Sequence, residues 1–313
     1  MAKTNQSNGK SRFTDVNDEP VDRLLSPIKG YQEKTLVSLA EAVEPVSSFF
    51  NEIEDYMFVA MHNCQSPAEG LTQDESASIH LYTMQFYGGP SLYLLLNESL
   101  RAENRGKLIP WFSFLKLFLT ALHKLPSYSG IVWRGIRGVD LSSKYKAGTK
   151  FAWWGVSSCT THIEVLESEQ FLGKHGQRTL FSIECINGKS IVKHSYFKNT
   201  EKEIILMPGS YFEVMGQLNP TPELHIIQLK EITPPIALVK SPFSKSTENA
   251  SNKMSSITEG DSSSILTSRT DDSVVLPVIN SSRTYIFTTS PVHQSKSNGN
   301  FYLSTVSRHS TNS

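Results

Sequence analysis

The hydrophobic period of this chain changes near residue 125, and that change limits the folds that the chain can adopt. Upstream, apolar residues recur at spacings of three and four, the period of a helix with one buried face. Downstream, they stand in short runs rich in β-branched and aromatic side chains, which is typical of strands. Helices followed by strands predict an α+β domain and not an alternating parallel sheet.

Four helices are predicted in the first 125 residues. The first carries an apolar stripe over residues 46–61, with Pro45 in its first turn. The second opens with the capping-box pattern of residues 72–75. Residues 92–101 and 108–122 form the third and the fourth. The fourth is too short to span a bilayer, so we expect it in the core of the protein.

Six short strands and one amphipathic helix, residues 163–172, are predicted in the second half. Turn residues, among them Asn187-Gly188 and Pro208-Gly209, separate the strands. We expect the strands on either side of Pro208-Gly209 to form a hairpin. The predicted strands are residues 131–134, 151–154, 179–186, 204–207, 211–215 and 224–229.

Composition divides the chain into three parts. Residues 1–20 are polar, and we expect them to be disordered. Residues 21–243 hold the predicted helices and strands and form the folded domain. Serine and threonine make up roughly two in five of residues 244–313, without a sustained hydrophobic period, so we expect a disordered Ser/Thr-rich tail. Within that tail, residues 274–279 are a short apolar segment.

Charge and cysteine content exclude several classes of partner. Lys plus Arg and Asp plus Glu both number 30, so we expect neither nucleic acid nor a membrane surface as a partner. Cys64, Cys159 and Cys185 form no C-x-x-C pair, which favours a reducing compartment and argues against a bound metal. The N-terminus has no apolar run, so we expect no signal peptide and a cytoplasmic location.

Three separated segments of the second half carry residues suited to one site. Arg134 ends a predicted strand before Gly135, where a guanidinium and a bare backbone can bind a diphosphate. Ser158 lies in a run of small hydroxyl residues that can orient a carboxylate or a ribose. Glu201 and Glu203 open an apolar strand, and in an extended chain residues two apart face the same side. Paired carboxylates stabilise positive charge at the anomeric carbon of a sugar.

Each segment also has a plainer interpretation. Arg134 can be a surface arginine, the hydroxyl run can form cross-strand pairs or a helix cap, and the glutamates can face solvent. Cys159 and His162 suggest a Cys–His nucleophile, but their spacing on a strand-to-helix turn gives poor geometry for it. No G-x-G-x-x-G sequence opens a βαβ unit, so a Rossmann redox site is not expected.

The three segments together resemble the arginine, Ser-Thr-Ser and Glu-x-Glu motifs of the arginine-specific mono-ADP-ribosyltransferases. Their order and spacing agree, with 24 residues from the first motif to the second and 45 from there to the last glutamate. The matching residues are Arg134, Ser158-Cys159-Thr160 and Glu201-Lys202-Glu203. One departure is that cysteine stands in the middle of the second motif and threonine at its end, where a hydroxyl is retained.

Ser195 and Phe197 resemble the substrate-recognition loop of the same family, which implies that Phe197 helps to recognise the acceptor arginine. The resemblance covers residues 13–243. The set of motifs is similar to that of the eukaryotic members abundant in bdelloid rotifers. It implies a helical N-terminal part followed by a mixed or antiparallel β-sandwich core.

The resemblance also implies a role for each motif residue. Arg134 is expected to bind the phosphates of NAD+, and Gly135 to leave its backbone free for the nicotinamide amide. Ser158 is expected to hold Glu203 in place and to contact the nicotinamide-side ribose. Glu203 would bind the ribose 2′-hydroxyl and stabilise the cation that forms as nicotinamide leaves. Glu201 would orient the guanidinium of the acceptor.

The expected reaction is transfer of ADP-ribose from NAD+ or NADP+ to arginine side chains of proteins, with release of nicotinamide. NAD+ is then a co-substrate, and no prosthetic group is needed. Two alternatives stay open: an NAD glycohydrolase, in which water replaces the guanidine, and a non-catalytic interaction protein that keeps the fold. Retention of Glu201 favours transfer. The sequence does not indicate an oligomeric state.

Overall fold

The helical half of the fold comes first in the chain, as the hydrophobic period predicts. The structure, a computed structural model, describes residues 18–244, so most of the predicted N-terminal segment and of the predicted tail lies outside the described residues. Within these described residues the five α-helices are α1 (Leu39–Val43), α2 (Ile53–Asn63), α3 (Gln73–Thr83), α4 (Leu92–Arg101) and α5 (Phe112–Lys124).

The start of α3 confirms the predicted capping box. Thr72 Oγ1 accepts a hydrogen bond from the backbone N–H of Glu75 at 3.2 Å, and the Glu75 carboxylate accepts one from the N–H of Thr72 at 2.9 Å. Two of the backbone donors that a helix start leaves unpaired are thereby satisfied. Ser38 and Glu41 form the same cap at the start of α1, where the sequence analysis did not predict one.

Two predicted helices are interrupted, and both predictions are wrong in the same way. The apolar stripe over residues 46–61 is divided between a 3-10 helix, Glu44–Phe49, and α2, because Glu52 takes a left-handed φ of 55°. The segment 108–122 begins as a 3-10 helix, Arg105–Trp111, and becomes α-helical only at Phe112. Proline lies inside each 3-10 helix, and its missing N–H and fixed φ suit a short first turn better than an α-helix interior.

The described part of the second half, up to residue 244, forms one seven-stranded sheet. Its order is β1-β3-β5-β4-β7-β6-β2, and β1 also pairs with β4. Neighbouring strands are antiparallel except for β4 and β7, which run parallel. The strands are β1 (Ser127–Arg137), β2 (Lys150–Trp153), β3 (Ser157–Thr160), β4 (Arg178–Ser190), β5 (Glu203–Leu206), β6 (Ser210–Thr221) and β7 (Leu224–Glu231).

The sheet has two buried faces, as the predicted α+β sandwich requires. Side chains alternate along a strand, so neighbouring residues enter different cores. Trp153 packs inside the folded sheet with Phe181 and Phe212, whereas Trp154 packs against the helices. In the sheet core, Trp153, Phe181 and Phe212 are fully buried. Helices therefore cover one face, and the sheet covers the other by curling over it.

Pro208-Gly209 forms a turn, but the predicted hairpin around it is wrong. Gly209 has a φ of 78° and its N–H donates to the carbonyl of Trp153 at 2.7 Å. The strands on either side do not pair with each other: β5 lies between β3 and β4, and β6 lies between β7 and β2. The predicted turn at Asn187-Gly188 lies inside β4, where Gly188 is opposite Tyr128 of β1. Turn chemistry fixes a change of direction, whereas pairing depends on the rest of the sheet.

Glu19 ties the N-terminal end of the described chain into the fold. Its carboxylate is 1% exposed and accepts hydrogen bonds from Arg101 Nε at 2.5 Å and from the backbone N–H groups of Trp154 and Gly155 at 2.7 and 3.0 Å. A Cβ on Gly155 would lie 2.3 Å from Arg101 Nη2, so a larger residue there would displace the Arg101 guanidinium. Glu19, which composition places in the polar N-terminal segment, is therefore buried in contact with the fold.

No helix within residues 18–244 combines the length and the apolar character needed to cross a bilayer. The segment that contains α5 is instead part of the core, as predicted, with Phe114, Leu115 and Phe118 fully buried.

We predict that Glu19→Ala lowers the free energy of unfolding by about 3–5 kcal/mol, because it removes the buried carboxylate that pairs with the Arg101 guanidinium. Urea denaturation followed by tryptophan fluorescence measures the change. Glu103→Ala is the control, since Glu103 forms an ion pair with Arg23 in which both side chains are more than half exposed. We expect that variant to change stability by less than about 0.5 kcal/mol. Equal losses in the two variants would contradict the prediction.

Candidate active site

A pocket lies where β1, β3 and β5 run side by side. Trp133 is opposite Thr160 in the pairing of β1 with β3, and Thr160 is opposite Glu203 in the pairing of β3 with β5. The three segments singled out in the sequence therefore meet. These segments form the wall of one pocket. Its lining residues are Trp133, Arg134, Cys159, Thr160, Val165, Leu166, Phe171, Glu201 and Glu203.

Arg134 lies at the wall of this pocket and is fully buried. Its Nη1 donates a hydrogen bond to the backbone carbonyl of Ser158 at 2.7 Å, which fixes the guanidinium against β3. The interpretation of Arg134 as a surface arginine is therefore wrong. A buried arginine brings a permanent positive charge into the protein interior beside the two glutamates of the lining.

Glu201 and Glu203 both line the pocket, but not through the extended backbone that the sequence analysis assumed. Glu201 ends the 3-10 helix Lys198–Thr200 in a helical conformation, Lys202 takes a left-handed φ of 48°, and only Glu203 belongs to β5. A lysine in that region of φ is unfavourable and is held by its surroundings. The glutamates are 4% and 1% exposed, so the interpretation of solvent-facing acids is also wrong.

Two hydroxyl groups hold the glutamate segment. Thr160 Oγ1 donates to the backbone carbonyl of Glu201 at 2.9 Å. Ser195 Oγ donates to Glu203 Oε2 at 3.1 Å and accepts a hydrogen bond from the N–H of Phe197 at 3.2 Å. Ser195 is fully buried, so its hydroxyl proton has no competing water. The Glu203 carboxylate is thereby oriented by a fixed donor.

Ser158 does not hold Glu203, contrary to the expectation. It is opposite Ile205, two residues farther along β5 than Glu203, and its Oγ is buried without a hydrogen-bond partner among the described residues. Ser195 takes that place instead. The sequence carried a signal for this contact, a serine close before the Glu-x-Glu motif, but the loop geometry that brings the two together could not be read from spacing.

Gly135 and Phe197 border the site without lining the pocket. A Cβ on Gly135 would lie 2.6 Å from Leu172 Cβ, so glycine allows the segment after β3 to pack against β1. Phe197 is half-buried and packs edge-on against Tyr196, with 5.2 Å between the ring centroids.

The predicted helix over residues 163–172 is wrong beyond its first turn, because only Ile163–Glu167 is helical, as a 3-10 helix.

The Cys–His interpretation is also wrong. Cys159 packs in the sheet core, and burial raises the pKa of its thiol to about 12. A thiol of that pKa is protonated near neutral pH and is a poor nucleophile. His162 Nδ1 forms a hydrogen bond with Thr161 Oγ1 at 2.8 Å. Cys159 therefore serves as a small apolar side chain in β3.

Two carboxylates and one guanidinium line the pocket, and this excess of negative charge favours a ligand with a cationic part. Two shielded carboxylates face an apolar wall formed by Val165, Leu166 and Phe171. In such surroundings the attraction between a carboxylate and a positive charge is much stronger than in water. No cluster of residues suited to a metal ion occurs in the described part of the chain.

Helices followed by a mostly antiparallel sheet are the arrangement of an ADP-ribosyltransferase fold. The model of one protein family, described as NAD:arginine ADP-ribosyltransferase, matches residues 33–234. Because the match spans well over half of the chain, this protein belongs to the NAD:arginine ADP-ribosyltransferase family.

Several solved structures are similar to this chain at low sequence identity. HopU1 of Pseudomonas syringae pv. tomato DC3000 is 22% identical, with a TM-score of 0.46 over 64% of this chain and 100% of that chain. Vis from Vibrio splendidus, solved in complex with agmatine, is 20% identical, with 0.43 over 65% and 90%. The eucaryotic mono-ADP-ribosyltransferase ART2.2 is 16% identical, with 0.44 over 68% and 98%. No curated protein matches the chain.

We predict that the folded protein is inert to iodoacetamide near pH 7.5. Cys64, Cys159 and Cys185 are buried, and burial raises the pKa of each thiol, so the reactive thiolates are scarce and shielded. Intact-mass spectrometry should show no adduct on the native protein and three after unfolding in guanidinium. Rapid native labelling of Cys159 would contradict the assignment of that thiol to the core.

Proposed function

We propose that this protein transfers a single ADP-ribose from NAD+ or NADP+ to arginine side chains of proteins and releases nicotinamide. The observation that carries the proposal is that Glu201 and Glu203 line one pocket together with Arg134. Membership of the family supports an ADP-ribosyltransferase reaction. The choice of arginine as acceptor rests on the second glutamate.

Glu203 is assigned to the cleavage step. Nicotinamide leaves a positively charged ring system as a neutral molecule, so its departure needs no proton donor, unlike ordinary glycoside hydrolysis. What the site must supply is negative charge beside the ribose cation that develops. A carboxylate that is 1% exposed and oriented by Ser195 supplies it without first having to reorganise water.

Glu201 is assigned to the acceptor. A guanidinium has a pKa above about 12, so it is protonated and not nucleophilic near neutral pH. A carboxylate beside it attracts the cation, orients one nitrogen and accepts the proton that is lost on attack. Thr160 holds the backbone carbonyl of Glu201. The two glutamates are therefore positioned by different hydrogen bonds. We place Phe197, in the same loop, next to the bound acceptor.

Arg134 is assigned to the diphosphate of NAD+. Its bond to the Ser158 carbonyl occupies Nη1 and fixes the plane of the guanidinium at the pocket wall. We assign the nicotinamide-side ribose to Ser158 Oγ, the buried hydroxyl that has no partner among the described residues, and the nicotinamide amide to the backbone of Gly135.

We predict that Glu201→Gln and Glu203→Gln separate the two steps. Glu201→Gln should keep nicotinamide release within a few-fold of the wild type but lower transfer to agmatine by about 100-fold, because the acceptor loses its base. Glu203→Gln should lower both by about 1,000-fold, because the developing cation loses its counter-charge. Labelled NAD+ is incubated with agmatine or polyarginine, and nicotinamide, free ADP-ribose and labelled guanidine are measured together.

Glu184→Gln is the matched control, since that glutamate is about half exposed on β4 and does not line the pocket. It should behave as the wild type. Label found only in free ADP-ribose would support an NAD glycohydrolase instead, and no turnover by the wild type would support a non-catalytic interaction protein. A Glu201→Gln variant that modified agmatine as well as the wild type does would overturn the assignment of Glu201.

A further inference from the structure

Helix α3 has a buried polar face that packing alone does not explain. Its residues from Glu75 to Thr83 are all buried. Ser76, His80 and Thr83 stand at spacings of four and three, which places them on one side of the helix. Burying polar side chains is unfavourable unless they are hydrogen-bonded. Each of the three side chains therefore needs a hydrogen-bond partner.

All three contact the loop that precedes Glu201. Ser76 Oγ lies 2.9 Å from His194 Nδ1, and His80 Nδ1 lies 3.1 Å from the carbonyl oxygen of His194. Thr83 Oγ1 accepts a hydrogen bond from the N–H of Tyr196 at 2.8 Å and donates to the carbonyl of His80 in its own helix at 2.8 Å. Helix α3 thus forms hydrogen bonds with His194 and Tyr196, the residues on either side of Ser195.

The hydrogen-bond directions at His194 follow from its partners. Its Nε2 lies 3.1 Å from a carboxylate oxygen of Glu69. Although burial opposes it, hydrogen bonds from Lys193 and His194 lower the pKa of Glu69, so that group is ionised and only accepts. His194 Nε2 therefore carries the proton, and burial lowers the pKa of the ring, so Nδ1 is an acceptor for the Ser76 hydroxyl. Ser76 is 1% exposed and is thus a support and not a nucleophile.

The directions at His80 are equally defined. A carbonyl oxygen only accepts, so His80 Nδ1 carries the proton that it shares with the His194 carbonyl. Burial lowers the pKa of His80 to about 4, so Nε2 is unprotonated near neutral pH and accepts from the side-chain amide of Asn63 at 3.2 Å. Every member of the network has a compatible partner, and a fully satisfied buried network is rigid.

Ser195 connects this network to the pocket. Its N–H donates to the carbonyl of Ile191 at 2.8 Å, and its hydroxyl donates to Glu203 Oε2. The N–H of Ile191 in turn donates to the carbonyl of Glu203 at 3.1 Å. A shift of the loop that holds His194 and Tyr196 would therefore move the donor that orients the Glu203 carboxylate.

We propose that Ser76, His80 and Thr83 of α3 are positioning residues for the ADP-ribosyl transfer reaction. They hold the 194–197 loop in the one arrangement in which Ser195 donates to Glu203. This inference rests on the proposed function, because it assigns the helical half a part in orienting the group that stabilises the ribose cation.

The test compares Thr83→Val, which removes the hydroxyl at nearly constant shape, with Thr83→Ser, which keeps it, and adds Ser76→Ala. Thr83→Val and Ser76→Ala should each lower kcat for nicotinamide release about tenfold while KM for NAD+ stays within about twofold, because Glu203 acts on charge that develops only in the transition state. Thr83→Ser should restore kcat to within about twofold of the wild type.

Two matched controls remove buried hydroxyls that do not touch the loop. Ser78 is fully buried on α3, and its Oγ donates to the carbonyl of Glu75 in the same helix. Thr120 is buried on α5, and its Oγ1 has no hydrogen-bond partner among the described residues. Ser78→Ala and Thr120→Val should keep the wild-type kcat. Equal loss of kcat in the controls would mean that α3 acts through general stability, and the proposal would be overturned.

Hydrogen–deuterium exchange gives a second readout that does not need activity. Thr83→Val and Ser76→Ala should speed amide exchange in residues 194–203 by at least about tenfold, whereas the two controls should leave it unchanged. Wild-type exchange rates in both variants would overturn the positioning role even if activity fell. Should the wild type release no nicotinamide, the proposed function is wrong, and exchange alone decides whether α3 holds the loop.

Discussion

The hydrogen bond from Ser195 to Glu203 is the contact on which the rest of the site depends. A carboxylate that is 1% exposed has lost most of its water, and a fixed donor both replaces part of that hydration and sets the direction of the charge. Glu201 arrives by a different route, since Thr160 holds its backbone carbonyl. Two acids enter one pocket because two separate hydroxyl groups hold the chain that carries them.

That requirement gives the helical half a role beyond covering the sheet. The loop before β5 contains two non-glycine residues with left-handed φ, Lys198 at 42° and Lys202 at 48°, so it does not keep its shape by local preference. Hydrogen bonds from α3 to His194 and Tyr196 hold the loop in this shape. Glu19 also links separate segments, because its carboxylate binds Arg101 of α4 and the backbone of the segment before β3.

The sequence predicted what depends on local chemistry. Helix α4 has the predicted bounds, and the Thr72 capping box forms. Six strands lie close to their predicted positions because β-branched and aromatic runs fit a pleated, half-buried surface, whereas β3, a run of small residues, was not predicted as a strand. It failed where the partner decides the outcome. Pro208-Gly209 turns the chain, yet β5 and β6 pair with other strands, and the stripe over residues 46–61 continues across a break at Glu52.

By itself, the sequence determined the α+β class, the family resemblance and the three segments that supply the pocket, since these follow from hydrophobic period, residue type and order along the chain. Only the tertiary structure decided that Ser195, and not Ser158, donates to Glu203, and that Arg134 is buried. A hydrogen bond is directional and short, so the spacing of two residues along the chain cannot say whether they meet. The distance is set by how distant segments pack, which no local pattern records.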